Sequence, residues 1–134
     1  MDQTTRWPNF SDLELRCRCG QCPSATRGKS PMDPDFMDRL QQLRTLYGKP
    51  MPLSSAYRCR NHPAEAGKAE PGEHCAGTAV DVRIRGADAL ELLHLALTLG
   101  FNRIGVSQKG TARFLHLGVS PIGGRLPSPM IWSY

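Results

Sequence analysis

The sequence predicts an α+β fold: a small, mainly antiparallel sheet packed against two main helices, behind an irregular, cysteine-containing N-terminal arm. Three observations predict it. Helix-period and strand-period stretches follow one another as helix, strand, long loop, strand, helix, strand, strand, which is not a train of βαβ units. The chain has 134 residues, enough for one core that buries about two-thirds of the unfolded surface. It is therefore read as a single domain over residues 1–134, with an arm over 1–31 and a core over 32–134. Hydrophobic residues make up 40% and charged residues 22%, a composition that excludes a disordered chain.

The arm is read as irregular because it holds a cysteine cluster among many turn residues. The clearest helix is MDPDFMDRLQQLRTLYG. Asp33 caps its start, Pro34 suits the first helical position and Gly48 the position just past the end. Phe36, Leu40, Leu43 and Leu46/Tyr47 form one stripe at helical spacing. PMPLSSAY reads as a short strand. Residues 58–77 are rich in Pro, Gly, Glu and His without an apolar period, and a loop of that length in a compact domain is usually functional. In the strand TAVDVRI, alternation sets Ala79, Asp81 and Arg83 on one face and Val80 and Val82 on the other. GADALELLHLALTLG is apolar nearly all round and is expected to lie deeply buried on the sheet, with His94 a core or edge residue. FNRIGV and RFLHLGV are strands separated by a turn. In the second, Phe114, His116 and Gly118 share a face opposite Leu115, Leu117 and Val119. PIGGRLPSPMIWSY is read as a Pro/Gly-rich tail whose Trp132 and Tyr134 pack on the core or edge a groove.

Charge and segment composition narrow the function classes. Lys+Arg total 17 against 12 Asp+Glu, a net charge of +5. The cations are scattered, with no basic run interleaved with aromatics, so no nucleic-acid partner is expected. No apolar stretch is long enough to insert into a membrane. MDQTTRWPNF has neither the apolar core nor the cleavage site of a secretory signal. A protein made in the cytoplasm without an export signal is therefore expected.

The residues that carry chemistry lie around the long loop. In EHCAGTAVD six residues separate His74 from Asp81, and Gly77 lets the chain turn between loop and strand. A carboxylate on an inner strand face needs a partner, because a buried unpaired charge is costly. With His116, two imidazoles and a carboxylate make a three-ligand Zn²⁺ site with an open fourth position.

The stretches SSAYRC, HCAGTAVDV, GFNRIGVSQKG, RFLHL and the WSY ending, spanning roughly residues 10–134, resemble the zinc murein peptidases. These comprise D-Ala-D-Ala carboxypeptidases, D,D-dipeptidases and L-Ala-D-Glu endopeptidases, and the likeness is greatest to small phage-type members with a CxC-containing arm. The resemblance implies a hydrolase of peptidoglycan stem peptides that acts in the bacterial envelope after phage-mediated release or as a virion component. It implies zinc held by His74, Asp81 and His116, and substrate bound by Arg58 with Ser54 and Ser55 along the same wall. Such a reaction needs a proton acceptor. Related phage-type sequences carry Asp two residues after the final His, where this chain has Gly118. Glu73 is a candidate substitute base, weighed against a plain solvated loop carboxylate, and Glu70 is a weaker one. Gly118 also favours the alternative of a zinc-stabilised, non-catalytic cell-wall-binding or virion structural protein.

Five cysteines remain to be placed. Cys17, Cys19, Cys22 and Cys59 are candidates either for a second, structural zinc or for a disulfide involving Cys59. Cys75 reads as a buried thiol. His62 reads as a partner of its own loop's backbone.

Overall fold

The computed structural model describes residues 7–19, 22, 32–68 and 72–134. Residues 58–77 are read as loop, and Glu70 within them lies outside the described residues. Helix α1 (Asp12–Leu15) is a single turn that the expectation of an irregular arm does not include. A capping box stabilises it: the Ser11 hydroxyl accepts from the Glu14 amide, and the Glu14 carboxylate accepts from the Ser11 amide. Helix α2 (Pro34–Tyr47) starts and stops as the sequence predicts. The Asp33 side chain accepts from the Phe36 amide at 2.9 Å, and Gly48 closes the helix in the left-handed region at φ 75°. Phe36, Met37, Leu40, Leu43 and Tyr47 are buried, while Leu46 points out.

Strand β1 (Leu53–Ser55) leads into the long loop. That loop holds a second helical turn missed by sequence reading, α3 (Glu73–Ala76), closed by Gly77 at φ 75°. Strand β2 (Ala79–Arg83) and helix α4 (Gly86–Thr98) follow. α4 buries only one side, Ala89, Leu92 and Ala96. Leu90 is 71% and Leu97 54% exposed, and His94 is also exposed. The leucines on the outer side extend the apolar pattern without extending the buried stripe, so the expectation of deep burial all round is corrected. Strands β3 (Arg103–Ser107) and β4 (Phe114–Gly118) form a hairpin, and the tail contributes one more strand, β5 (Met130–Ser133).

The five strands make one sheet in the order β1-β2-β4-β3-β5, antiparallel except for the β3/β5 pair. The helical face carries Val80, Val82, Leu115, Leu117 and Ile104, packed with Phe36, Met37, Leu40, Leu43 and Leu92 into one core. The opposite face carries the polar side chains. Along one row the register sets Ser55 opposite Asp81, Asp81 opposite His116, His116 opposite Gly105, and Gly105 opposite Trp132. An irregularity between Leu53 and Ser55 makes this row possible at its first member. The extra residue of a bulge shifts the alternation, so Leu53 joins the core while Ser55 joins the polar row.

Leu40 is fully buried in α2 at the centre of this core. Leu40→Ala should lower unfolding free energy by about 2–5 kcal/mol, read by denaturant titration at unchanged slope. A loss under about 0.5 kcal/mol, the scale of surface substitutions, would show that α2 does not close the core.

Candidate metal centre

His74, Asp81 and His116 come together from three elements, and all three are buried. α3 carries His74, whose approach is set by Gly77: the Gly77 amide returns to the His74 carbonyl and the Gly77 carbonyl accepts from the Asp33 amide. Asp81 and His116 are cross-strand neighbours of β2 and β4. His74 Nε2 lies 3.4 Å and His116 Nδ1 3.1 Å from the same Asp81 Oδ1. The two imidazole rings meet edge to face at 5.1 Å.

The outer nitrogen of each imidazole is held in turn. His74 Nδ1 donates to the Ala56 carbonyl at 2.6 Å, which leaves Nε2 on the Asp81 side. His116 Nε2 lies 2.7 Å from Glu73 Oε1, which leaves Nδ1 on the Asp81 side. Two imidazole nitrogens and a carboxylate oxygen thus converge within 4.8 Å of one another in a buried position. This set suits a divalent cation, and a hydrogen bond on the far nitrogen of each histidine is the usual way such ligands are oriented.

Glu73 is the residue on which the structure most changes the sequence reading. It is not a solvated loop carboxylate: it is 4% exposed. Besides His116, Oε2 accepts from the Ser120 hydroxyl at 3.0 Å, and Arg103 Nε lies 2.9 Å from Oε1. Its carboxylate sits over Gly118. A Cβ placed there would be 2.7 Å from Glu73 Cδ and nearer still to Oε2. A carboxylate delivered by α3 therefore fills the space that an aspartate at position 118 would need.

Arg58 is anchored on three sides. Nε donates to Ser55 Oγ at 3.0 Å, Nη2 to Asp81 Oδ2 at 3.3 Å and Nη1 to Glu65 Oε2 at 3.1 Å. Its amide donates to the His74 carbonyl. Ser55 is thus the residue that orients Arg58, whereas Ser54 is exposed and its hydroxyl reaches the Asp81 backbone carbonyl instead. Two residues that sequence reading missed complete the surroundings. Glu65, 2% exposed, holds both Arg58 and Lys68. Arg103 stacks its guanidinium 5.0 Å from the Trp132 ring, and that ring lies 5.0 Å from His116. Gly105 makes room for this stack, since a Cβ there would meet Trp132 at 2.8 Å. Trp132 and Tyr134 therefore line the cleft, the second of the two roles expected for them. Arg103 stood in GFNRIGVSQKG, and its strand alternation with Gly105 was the one available signal. His62 Nδ1 accepts from the Ala64 amide, as expected, and Cys75, half-buried rather than buried, donates its Sγ hydrogen to Glu65.

These groups line one cleft of about 410 Å³. Its basic side chains are Arg58, Lys68 and Arg103 and its acidic ones Glu65, Glu73 and Asp81, so with neutral histidines the protein charges cancel before any cation enters. Burial pushes the Asp81 carboxyl up, but hydrogen bonds from His116 and His74 outweigh it and hold the group well below the usual carboxylate range. Burial likewise acts against an ionised Glu73, and His116 and Arg103 overcome it and lower its pKa. For His116 burial favours the neutral ring, yet Asp81 and Glu73 win and raise its pKa above the ordinary 6.5.

The Peptidase M15 family model matches residues 8–118, a span that contains His74, Asp81 and His116. The chain belongs to the Peptidase M15 family. Comparison with curated proteins gave no match. As a Peptidase M15 member the chain is a peptidase, and the paired histidines and aspartate fit a metal-dependent one. The M15 match ends at Gly118, so β5 with Trp132, and Tyr134 just after it, lie beyond it.

Two outcomes follow. A cation must displace the proton that His116 holds above its ordinary pKa, so the apparent affinity for Zn²⁺ should already weaken between about pH 8 and about pH 6. Competition titrations across that range test this, and a flat affinity would remove His116 from the ligand set. Gly118→Asp should lower stability by about 1–3 kcal/mol through overpacking and reduce metal retention. Glu73→Ala combined with Gly118→Asp should restore much of both, measured by thermal unfolding and metal content. A single variant that outperforms the parent would show that Glu73 does not occupy that space.

Proposed function

We propose that this chain is a zinc metallopeptidase that cleaves peptidoglycan stem peptides. The observation that carries the reading is Arg58 fixed beside His74, Asp81 and His116 in the same cleft. A guanidinium has five N–H donors. Three are used by Ser55, Asp81 and Glu65, and the remaining two suit a peptide carboxylate or the oxygen of a scissile carbonyl. The cleft's own charges cancel, so a divalent cation gives it a net positive charge, which favours an anionic peptide. Its volume lies within the range of small-ligand sites. Murein stem peptides are short and carry free carboxylates at D-Glu and at the terminal D-Ala, and the resemblance to murein peptidases supports the same class.

When bound by His74, Asp81 and His116, zinc supplies Lewis acidity and lowers the pKa of water in the fourth position. The side chains do the rest. Arg58 orients the peptide and opposes charge that develops on the carbonyl oxygen. Glu73 holds His116 by the nitrogen turned away from Asp81, and of the cleft's three carboxylates it is the one with an acceptor site left for a proton. A carboxylate offers about four acceptor sites. Those of Glu65 are taken by Arg58, Lys68, the Gly72 amide and Cys75. Asp81 is committed to Arg58 and the histidines. Glu73 is ionised and has three contacts, to His116, Arg103 and Ser120, which leaves one acceptor site. The non-catalytic reading was motivated by Gly118, and a carboxylate over that very residue weakens its ground.

The substrate places the activity in the bacterial envelope, and the likeness to phage-type members supports delivery as a phage lysis or virion protein. Among the described residues no helix is long and apolar enough to cross a membrane.

Incubating the zinc-loaded protein with soluble stem peptides ending in D-Ala-D-Ala should give new termini by mass spectrometry, either at that bond or after L-Ala. Chelation should stop the reaction and added zinc restore it. Arg58→Ala should lower kcat/KM by about 10²–10³-fold, and Glu73→Gln should lower kcat by about 10²–10⁴-fold with metal still bound. Intact peptides in the presence of retained zinc would overturn the assignment.

A further inference from the structure

The described part of the arm ends in a feature that hydrolysis does not use. Cys17, Cys19 and Cys22 lie beside Cys59, the residue after Arg58, and their four sulfurs all fall within 4.8 Å of one another. We infer that Cys17, Cys19, Cys22 and Cys59 form a tetrathiolate site for a single structural zinc ion.

Three observations carry this. The first is distance. Cys59 Sγ and Cys19 Sγ are 3.7 Å apart, well beyond the ~2.05 Å of a disulfide. Four sulfurs at about 2.3 Å around one zinc define a tetrahedron with an edge of about 3.8 Å. The second is the direction of the backbone. The Cys22 amide points at Cys19 Sγ at 3.4 Å and the Cys59 amide at Cys17 Sγ at 3.3 Å. Amide N–H groups aimed at sulfur favour thiolate over thiol, the form that binds a cation. The Cys19–Cys22 pair provides the two-residue spacing common in structural zinc sites. The third is placement. Cys17 is buried, and none of the four is joined in a disulfide. On binding, each thiol gives up its proton to solvent and the sulfur pair becomes the ligand, with no redox change.

The geometry also assigns the ion a task. α1 already hangs from the core through the Leu15 carbonyl, which accepts from the Tyr57 amide. Arg18 reaches the Leu53 carbonyl at 3.3 Å. A zinc ion shared by the arm and Cys59 fixes the backbone immediately after Arg58 and thereby its reach into the cleft. This site is chemically separate from His74, Asp81 and His116, which supply nitrogen and oxygen donors.

Metal analysis of three forms of this 134-residue chain tests the inference without reference to activity. The parent should carry about two zinc ions per chain. Cys17→Ser with Cys22→Ser should carry about one, and so should His74→Ala with His116→Ala. Cobalt loaded into the histidine variant should show sulfur-to-cobalt charge-transfer bands that the serine variant lacks. Should the serine variant fail to fold, mercurial titration of the parent gives the same reading: about one zinc should be released by about five equivalents, four for the site and one for Cys75. The inference is overturned if the histidine variant holds no metal, if its cobalt form lacks thiolate bands, or if the intact mass shows the loss of hydrogens that disulfides entail. Because the histidine variant abolishes the hydrolytic centre, its metal count reports on the cysteines alone.

Discussion

The pairing of Asp81 with His116 across β2 and β4 is the constraint on which the rest of the site depends. A strand's side chains alternate with a period of two, so a slip of one residue would turn Asp81 into the core and Val80 or Val82 out of it. The helical face of the sheet prevents that slip, because Val80, Val82, Leu115 and Leu117 are all fully buried or nearly so. Apolar burial at roughly 25 cal/mol per Å² on one face thus fixes polar geometry on the other. Two basic nitrogens and a carboxylate are brought close in a buried position by packing they do not themselves provide. His116 then lies between two carboxylates, Asp81 and Glu73, and each acts on a different ring nitrogen.

Much of this was legible in the sequence, and for a physical reason. α2 carried its cap, its proline and its closing glycine in the primary structure, and strand alternation put Asp81 and His116 on the polar face. What local pattern could not give is the register that joins elements. Leu53 and Ser55 stand two residues apart, a spacing that regular alternation would set on one face. Only the irregularity in β1 sends them to opposite ones. Local pattern left Glu73 between candidate base and solvated carboxylate, because its partners, His116, Arg103 and Ser120, are distant in the chain. β5 escaped notice because it emerges from a Pro/Gly-rich stretch and pairs in parallel with β3, a contact with no hairpin to announce it. α4 misled in the other direction, since exposed leucines look like buried ones when read as letters.

The cleft also shows how a missing residue can be supplied from elsewhere. A carboxylate two positions after His116 would rise from β4 itself. Here that strand offers only glycine, and α3 lowers Glu73 onto the bare position from above. The acid near the imidazole is therefore carried by the same helical turn as His74. Position 73 and position 118 compete for one volume, so the two cannot both bear a carboxylate in this arrangement.

The stack of Arg103, Trp132 and His116 divides labour along the chain. All three candidate metal ligands lie on α3, β2 and β4, inside the matched span, while the aromatic wall comes from β5 outside it. β5 is an edge strand that touches the sheet only through β3. Sequence drift there can reshape the mouth of the cleft while the chemistry beneath stays put, which makes β5 the natural place to graft a new selectivity onto an inherited catalyst.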